Sequence, residues 1–290
     1  MRTNQPSLLK DFPDTSRVLI HPLTMKTMLH LLAGLVAAFC AGHASRAAEP
    51  GSKPVLLYSR YFNAQGEERY QPEGTFKPFL DQLRTHFQVV THNFPLTAKT
   101  LANVDVVLVA NPSDKAVKNN PPPHHFDKTS ISAITKFVQN GGGFIILGNQ
   151  ENHNLEVEDT NKLLSNFGLQ FTNVYTDAKK LVIPKAAPII GGLRWAYYTG
   201  NRVDIQPQHP AHPKVLVQND LAQRPAKGDR DAEGALLAIA EPGQGRVIVA
   251  TDAGWLTDSA LDGRGIGGVA IQEQDNFEIF LRLAKWAAHK

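Results

Sequence analysis

Gly141-Gly142-Gly143-Phe144-Ile145-Ile146-Leu147-Gly148-Asn149-Gln150-Glu151 is the stretch on which the fold turns. A glycine run stops a helix, four apolar residues follow, and a small, polar and acidic turn closes the segment. A short apolar run with such punctuation reads as a fully buried central strand. In open α/β sheets ligands bind outside the carboxyl ends of the strands. The turn at Asn149–Glu151 is therefore the first place to look for chemistry, and it holds no nucleophile.

Upstream of this strand, Thr129 to Asn140 puts Ile131, Ile134, Phe137 and Val138 on one helical face, and Gly141 suits the C-terminal cap. Earlier still, Val55–Tyr58, Gln88–Thr91 and Val104–Ala110 read as strands, the last stopped by Asn111-Pro112. Gln65–Gly74 reads as a loop, and Thr75 is placed to cap a helix carrying Phe76, Phe79, Leu80, Leu83 and Phe87. Three consecutive prolines keep Lys118–His125 out of helix and central strand.

Downstream, Glu158-Asp159-Thr160 opens a helix with Leu163, Leu164 and Phe167 apolar and Gly168 as its stop. From Leu169 to Asp220, short β-like runs (Gln170–Tyr175, Leu181–Ile183, Arg202–Ile205, Lys214–Gln218) are split by Pro and Gly into a β-rich excursion on the same domain. Leu221–Glu233 is charged and reads as a surface loop. Ala235–Ala240 and Arg246–Ala250 flank Glu241–Gly245 as a hairpin. Asp275-Asn276-Phe277-Glu278 resembles a capping box, opening a last helix that buries Phe277, Phe280, Leu281 and Ala284, with Trp286 on it. Strands alternating with helices predict a parallel α/β sheet.

With 290 residues, 42% hydrophobic and 20% charged, the chain can bury a sizeable core. Its net charge of +3 comes from the N-terminus. Residues 1–47 carry five Lys/Arg and two acids, which leaves 25 of each for the rest. A neutral body argues against nucleic acid or an anionic membrane as the main partner. Met25-Lys26, the apolar run Met28–Cys40 and the small residues ending at Ser45-Arg46-Ala47 have the layout of a secretory signal peptide cleaved after Ala47. The run is short for a membrane span, so no stable span is expected after cleavage. The expected organisation is a misassigned extension at 1–24, a signal peptide at 25–47, a linker at 48–53 and one domain at 54–290. The expected location is periplasmic or extracellular. Cys40 is the only cysteine; the bulky Phe39 before it counts against lipidation. The cleaved chain has no thiol for disulfides, metals or nucleophilic attack.

Three segments now carry a resemblance: the helix, glycine run and strand of Phe137–Gly148; Asn161–Leu169; and Gly243-Gln244-Gly245-Arg246-Val247-Ile248-Val249-Ala250-Thr251-Asp252, leading to Asp275-Asn276 and the closing helix. Together, over residues 54–288, they resemble the class I glutamine amidotransferase-like superfamily on its non-amidase branch. That branch holds secreted DUF4350-type, gliding-motility-associated and intraflagellar-transport-type domains, with ThuA-like proteins a more distant comparison. The resemblance implies a flavodoxin-like α/β fold, a mostly parallel sheet with helices on both faces and a β-rich excursion. In working members a cysteine stands two places after the turn's leading glycine. Aligned on Gly148, that place is Gln150, which has no activatable proton. No Ser, Thr or Cys lies between Gly148 and Asn154, and Ala253-Gly254-Trp255 stands where a His-x-Glu pair would follow Thr251-Asp252. The resemblance implies the fold and opposes amidotransferase activity.

Two function classes follow. A ligand-binding or interaction module of the cell envelope would use Asn149, Gln150, Glu151, Asp252, Trp255 and Arg60 to line a crevice for a small molecule or carbohydrate, or would dock an envelope protein. A hydrolase acting on a sugar derivative would instead use Glu151, His153 or Asp252 as acid/base. An acid beside a ring, as at Asp252 and Trp255, suits sugar binding, and it equally suits a loop cap beside a core tryptophan. His124-His125 and His209-Pro210-Ala211-His212 lack metal-ligand spacing, and Gly263–Gly268 lacks the strand and Lys-Ser/Thr of a phosphate loop. Neither metal nor cofactor is expected. Ser59, at the end of the first strand, has no base placed for it, and Trp195, Tyr197 and Tyr198 suit core better than a binding face.

Overall fold

The computed structural model describes residues 52–176, 179–197, 199–219, 233–264 and 273–290. The predicted leader and extension, part of the linker, Tyr198, most of the charged loop (220–232) and residues 265–268 of the glycine-rich stretch lie outside the described residues.

β4 (Gly143–Gly148) runs parallel between β3 (Val106–Ala110) and β11 (Arg246–Thr251), with Ile145 level with Leu108 on one side and Ile248 on the other. β1 (Val55–Ser59) pairs in parallel with β3 and with the edge strand β2 (Gln88–His92). Beyond β11 the sheet turns antiparallel through β10 (Gly234–Ala240), which pairs with both β8 (Val203–Ile205) and β9 (Lys214–Asn219). β5 (Leu169–Phe171) completes the order β2-β1-β3-β4-β11-β10-β8-β5. A separate antiparallel pair, β6 (Lys179–Val182) and β7 (Arg194–Tyr197), completes the β-rich excursion.

Alternation along the strands divides the core. Tyr58, Leu108, Ile145, Leu147 and Ile248 face α1 (Lys77–Leu83) and α6 (Asn276–Ala287). Leu57, Val107, Phe144, Ile146 and Val249 face α3 (Lys128–Gln139) and α4 (Glu158–Leu164). A strand covered on both faces has no polar side, which is why β4 reads as a continuous apolar run. α3 starts where Asp127 accepts from Ser130 N at 2.7 Å. It ends where Gly141 takes φ +103, a left-handed setting that glycine adopts without a Cβ clash.

Three local expectations are corrected and one strand is added. Thr75 does not cap α1: the N-cap is Phe76, with Pro in the first turn, and Thr75 Oγ1 accepts from Tyr70 N instead. Asp275 makes no side-chain cap either; its carboxylate accepts from Arg194 N at 2.8 Å and pairs with the guanidinium. Arg194–Tyr197 is a strand, and Trp195 on it is fully buried. The helix at Glu158 is shorter than its apolar pattern: it ends at Leu164 and passes into a 3₁₀ turn, Ser165–Phe167, closed by Gly168 at φ +70. Two short helices had no periodic signal, α2 (Ala98–Leu101), held by reciprocal Thr97–Thr100 capping, and α5 (Asp258–Leu261).

Candidate functional site

The carboxyl ends of β1, β3, β4 and β11 meet at one edge, and Asn149 ties them together. Its backbone N–H donates to Asn111 Oδ1 (3.0 Å), its Nδ2 donates to the Tyr70 hydroxyl (2.7 Å), and its Oδ1 accepts from Ala253 N (2.6 Å). The flanking residues hold left-handed backbone, Asn111 at φ +46 after β3 and Asp252 at φ +59 after β11. Asn and Asp tolerate this conformation better than most residues. Asp252 Oδ1 accepts from Gly254 N, and its backbone carbonyl accepts from the Trp255 indole. The Tyr58 hydroxyl donates to the Tyr70 carbonyl. Burial pushes both phenols well above the usual tyrosine range, with the Asp252 charge adding to the effect on Tyr70.

Gln150 follows in extended backbone. Its carbonyl accepts from His153 N and Leu155 N, closing a 3₁₀ turn at Glu151–His153 that ends in left-handed Asn154. The side chain is 3% exposed. Its Nε2 donates to Thr199 Oγ1, and its Oε1 meets no protein donor. Asn149, Gln150 and Asp252 are thus brought together but buried, at 5%, 3% and 1% exposed. Only Gln150 of the three lines the adjoining crevice of about 230 Å³, with Glu151, Asn152, Asn173 and Tyr175.

The remaining predicted residues are dispersed. Glu151 is exposed on the turn, and no hydrogen bond joins it to half-buried His153. Trp255 is fully buried and packs edge-on against Trp195 (centroids 5.5 Å apart) and beside Phe280. Its ring offers no face to a sugar, which corrects its place among the ligand-lining residues. Arg60 belongs to a second, larger cleft of about 800 Å³, where it pairs with Glu73 at 3.1 Å. Ser59 is fully buried.

Three residues of the loop after β1 were missed: Glu67, Arg69 and Tyr70. Their signal, a charged pair followed by an aromatic just beyond a buried strand, was hidden in a stretch read only as polar. Arg69 makes a two-pronged pair with Glu67 (2.8 and 2.6 Å). Burial acts to raise the Glu67 carboxyl, but the Arg69 hydrogen bonds and charge outweigh it and hold the group low. His153 is held below its usual range, by burial first and the Arg69 charge second. Its Nδ1 has no partner.

Among the described residues one trio could hold a cation: His125, Glu156 and Asp159, with ligand atoms within 4.8 Å of one another. Its carboxylates are already committed. Glu156 accepts from the N–H groups of Asp159 and Thr160 at 2.8 Å, and Asp159 pairs with Lys162. The neighbouring His124 stacks on Tyr61, with centroids 4.1 Å apart. No helix among the described residues is long and apolar enough to cross a membrane.

The model of one family, the IFT52 GIFT domain, matches residues 60–194. No curated protein matches the chain. Among solved structures, the mmIFT52 N-terminal domain aligns with a TM-score of 0.59 at 15% identity, covering 80% of this chain and 97% of that one. The cytoplasmic protein STM3548 from Salmonella typhimurium aligns at 0.52 and 12% identity, covering 81% and 98%. A ThuA-like protein from Bacteroides uniformis aligns at 0.47 and 13%, covering 85% and 95%. The chain is therefore similar to an intraflagellar-transport-type domain, and at these identities the structural likeness is one of fold.

Proposed function

We propose that this IFT52-like fold serves as a non-catalytic binding or interaction module, exported to the cell envelope and recognising a carbohydrate or an envelope protein. The reading is carried by Gln150. By the amidotransferase resemblance, aligned on Gly148, it takes the nucleophile's place, and its amide is turned into the protein toward Thr199. A carboxamide cannot attack a carbonyl. Kinship with DUF4350-type and gliding-motility-associated domains, and export itself, belong to the same proposal and are supported by the sequence alone.

The purified chain should release no ammonia from glutamine and should be stabilised against heat by one class in a panel of sugars, uronic acids and divalent metals. Ammonia release would overturn the reading. For export, the envelope fraction should hold a chain beginning at Ala48; uncleaved protein confined to the cytoplasm would overturn that part.

The competing reading is a hydrolase acting on a sugar derivative. One observation favours it: the unpartnered Nδ1 of His153, on an imidazole kept neutral near pH 7. It predicts turnover that falls by at least 100-fold in His153→Ala, Glu151→Ala or Asp252→Ala, the usual scale for a lost general acid or base.

A further inference from the structure

The main sheet ends on one side at β5, only three residues long, and on the other at β2. A short edge strand gives another chain little to pair with. β2 has none of the usual protections. It pairs with β1 in unbroken register over five residues, Gln88–His92, and holds no proline and no Asp, Glu, Lys or Arg. Its free side follows from the ladder. Gln88 N–H donates to the Pro54 carbonyl (2.9 Å), and the His92 carbonyl accepts from Arg60 N–H (2.8 Å). Backbone direction alternates along a strand, so Gln88, Val90 and His92 turn their N–H and C=O toward β1. Val89 and Thr91 turn theirs outward. Among the described residues no backbone group hydrogen-bonds to Val89 or Thr91 on that side.

The side chains add an apolar strip. Val89 packs against the core over one face of the sheet, so Val90 projects from the other, where it is 38% exposed. Phe94, just past the strand, is 68% exposed and meets the His92 ring at 5.8 Å between centroids. Two observations choose the occupant. Thr85–Ala98 is a run of fourteen residues without Asp, Glu, Lys or Arg, in a chain where charged residues make up 20%. Like charges placed opposite one another across strands are destabilising, and this edge meets its own copy without any. The outward groups are also symmetric about Val90. Laid antiparallel on a second copy, Val89 falls opposite the copy's Thr91 and Thr91 opposite its Val89. Each such pair exchanges both N–H···O bonds, and the two Val90 side chains meet at the centre with Cα atoms about 4.5 Å apart.

We propose that β2 is a self-association edge, joining two copies of this chain through antiparallel β2–β2 pairing about a two-fold axis at Val90. The inference goes beyond the binding-module reading and does not depend on the Gln150 crevice. Pairing consumes the edge on both copies, so assembly stops at two. The contact is short and belongs with weak interfaces. In sedimentation equilibrium, the mass of the full chain should rise toward twice the monomer value as concentration passes through the micromolar range. Thr91→Pro removes an outward N–H and leaves the β1 ladder intact, as proline allows on an edge strand. It should weaken dimerisation at least tenfold while the thermal melt stays cooperative. Val90→Lys, which sets two ammonium groups face to face, should do the same and decides the matter if the proline variant fails to fold. In a Cys40→Ser background, Val90→Cys should cross-link into a dimer under mild oxidation. Gln88→Cys, exposed on the same face, should not, because its copies lie about 14 Å apart, beyond the roughly 7 Å a disulfide spans. A monomer at every concentration, growth beyond two copies, a dimer indifferent to Val90→Lys, or equal cross-linking at both positions would overturn the proposal.

Discussion

At the residue scale, Asn149 is the joint of the carboxyl edge. Asn149→Leu keeps the side chain's size but strips a donor from the Tyr70 hydroxyl and an acceptor from Ala253 N. Each buried group left unmatched costs about 1–3 kcal/mol, so the variant should lose about 2–4 kcal/mol in urea unfolding. Arg69 gives a pH-dependent counterpart. Glu67, ordinarily at 4.5, is held lower in the fold. Its stabilisation is complete above that value and is lost as pH falls through the depressed one. His153 is also depressed, from 6.5, so the fold favours neutral imidazole and weakens as pH drops below 6.5. Arg69→Met should cost about 1–2 kcal/mol at pH 7, and the gap to wild type should narrow as pH falls through the depressed Glu67 value. The decline below pH 6.5 should become shallower without vanishing, because burial, the larger influence on His153, remains. Urea midpoints at pH 7, 5.5 and 3.5 check each step. The sequence did reveal Asn149 and Gln150, because they follow a buried strand directly. Arg69 and Tyr70 reach the same edge through a loop, whose path no periodicity encodes.

At the element scale, β4 was legible because a strand covered on both faces must be apolar throughout, and its neighbours β3 and β11 share that composition. Caps were less legible. Thr75 and Asp275 have the right chemistry for capping, but each oxygen has a tertiary partner, Tyr70 N for one and Arg194 for the other. β7 was missed because four residues are too few for alternation to stand out. Its Trp195 reads correctly as core, and Trp255 is core as well, since large rings are usually buried. Gly148 shows what the strand end requires. A Cβ there would lie 2.6 Å from the Phe171 ring, so Gly148→Ala should destabilise by about 1–3 kcal/mol through overpacking. Phe171→Leu added to that variant should recover part of the loss in thermal unfolding; strictly additive losses would show that the ring is not what opposes the Cβ.

At the scale of the whole molecule, the family match and the folding unit have different limits. The match to the IFT52 GIFT family model ends at residue 194, whereas residues Gly51–Lys290 form one compact unit. The difference matters because β11 pairs with β4 over six register positions, Arg246–Thr251 against Gly143–Gly148. α6 adds Ile279, Phe280 and Leu283 to the core over one face. A chain ending at residue 194 would expose the long edge of an all-apolar strand and uncover half of its packing, the condition under which sheets aggregate. A fragment of residues 54–194 should therefore fail to give a cooperative melt or dispersed amide resonances, while residues 54–290 should unfold in a single transition. A stable, soluble fragment would mean that the matched segment closes its own core, and that the hairpin of β10 and β11 with the last helix is an addition to the fold instead of part of its centre.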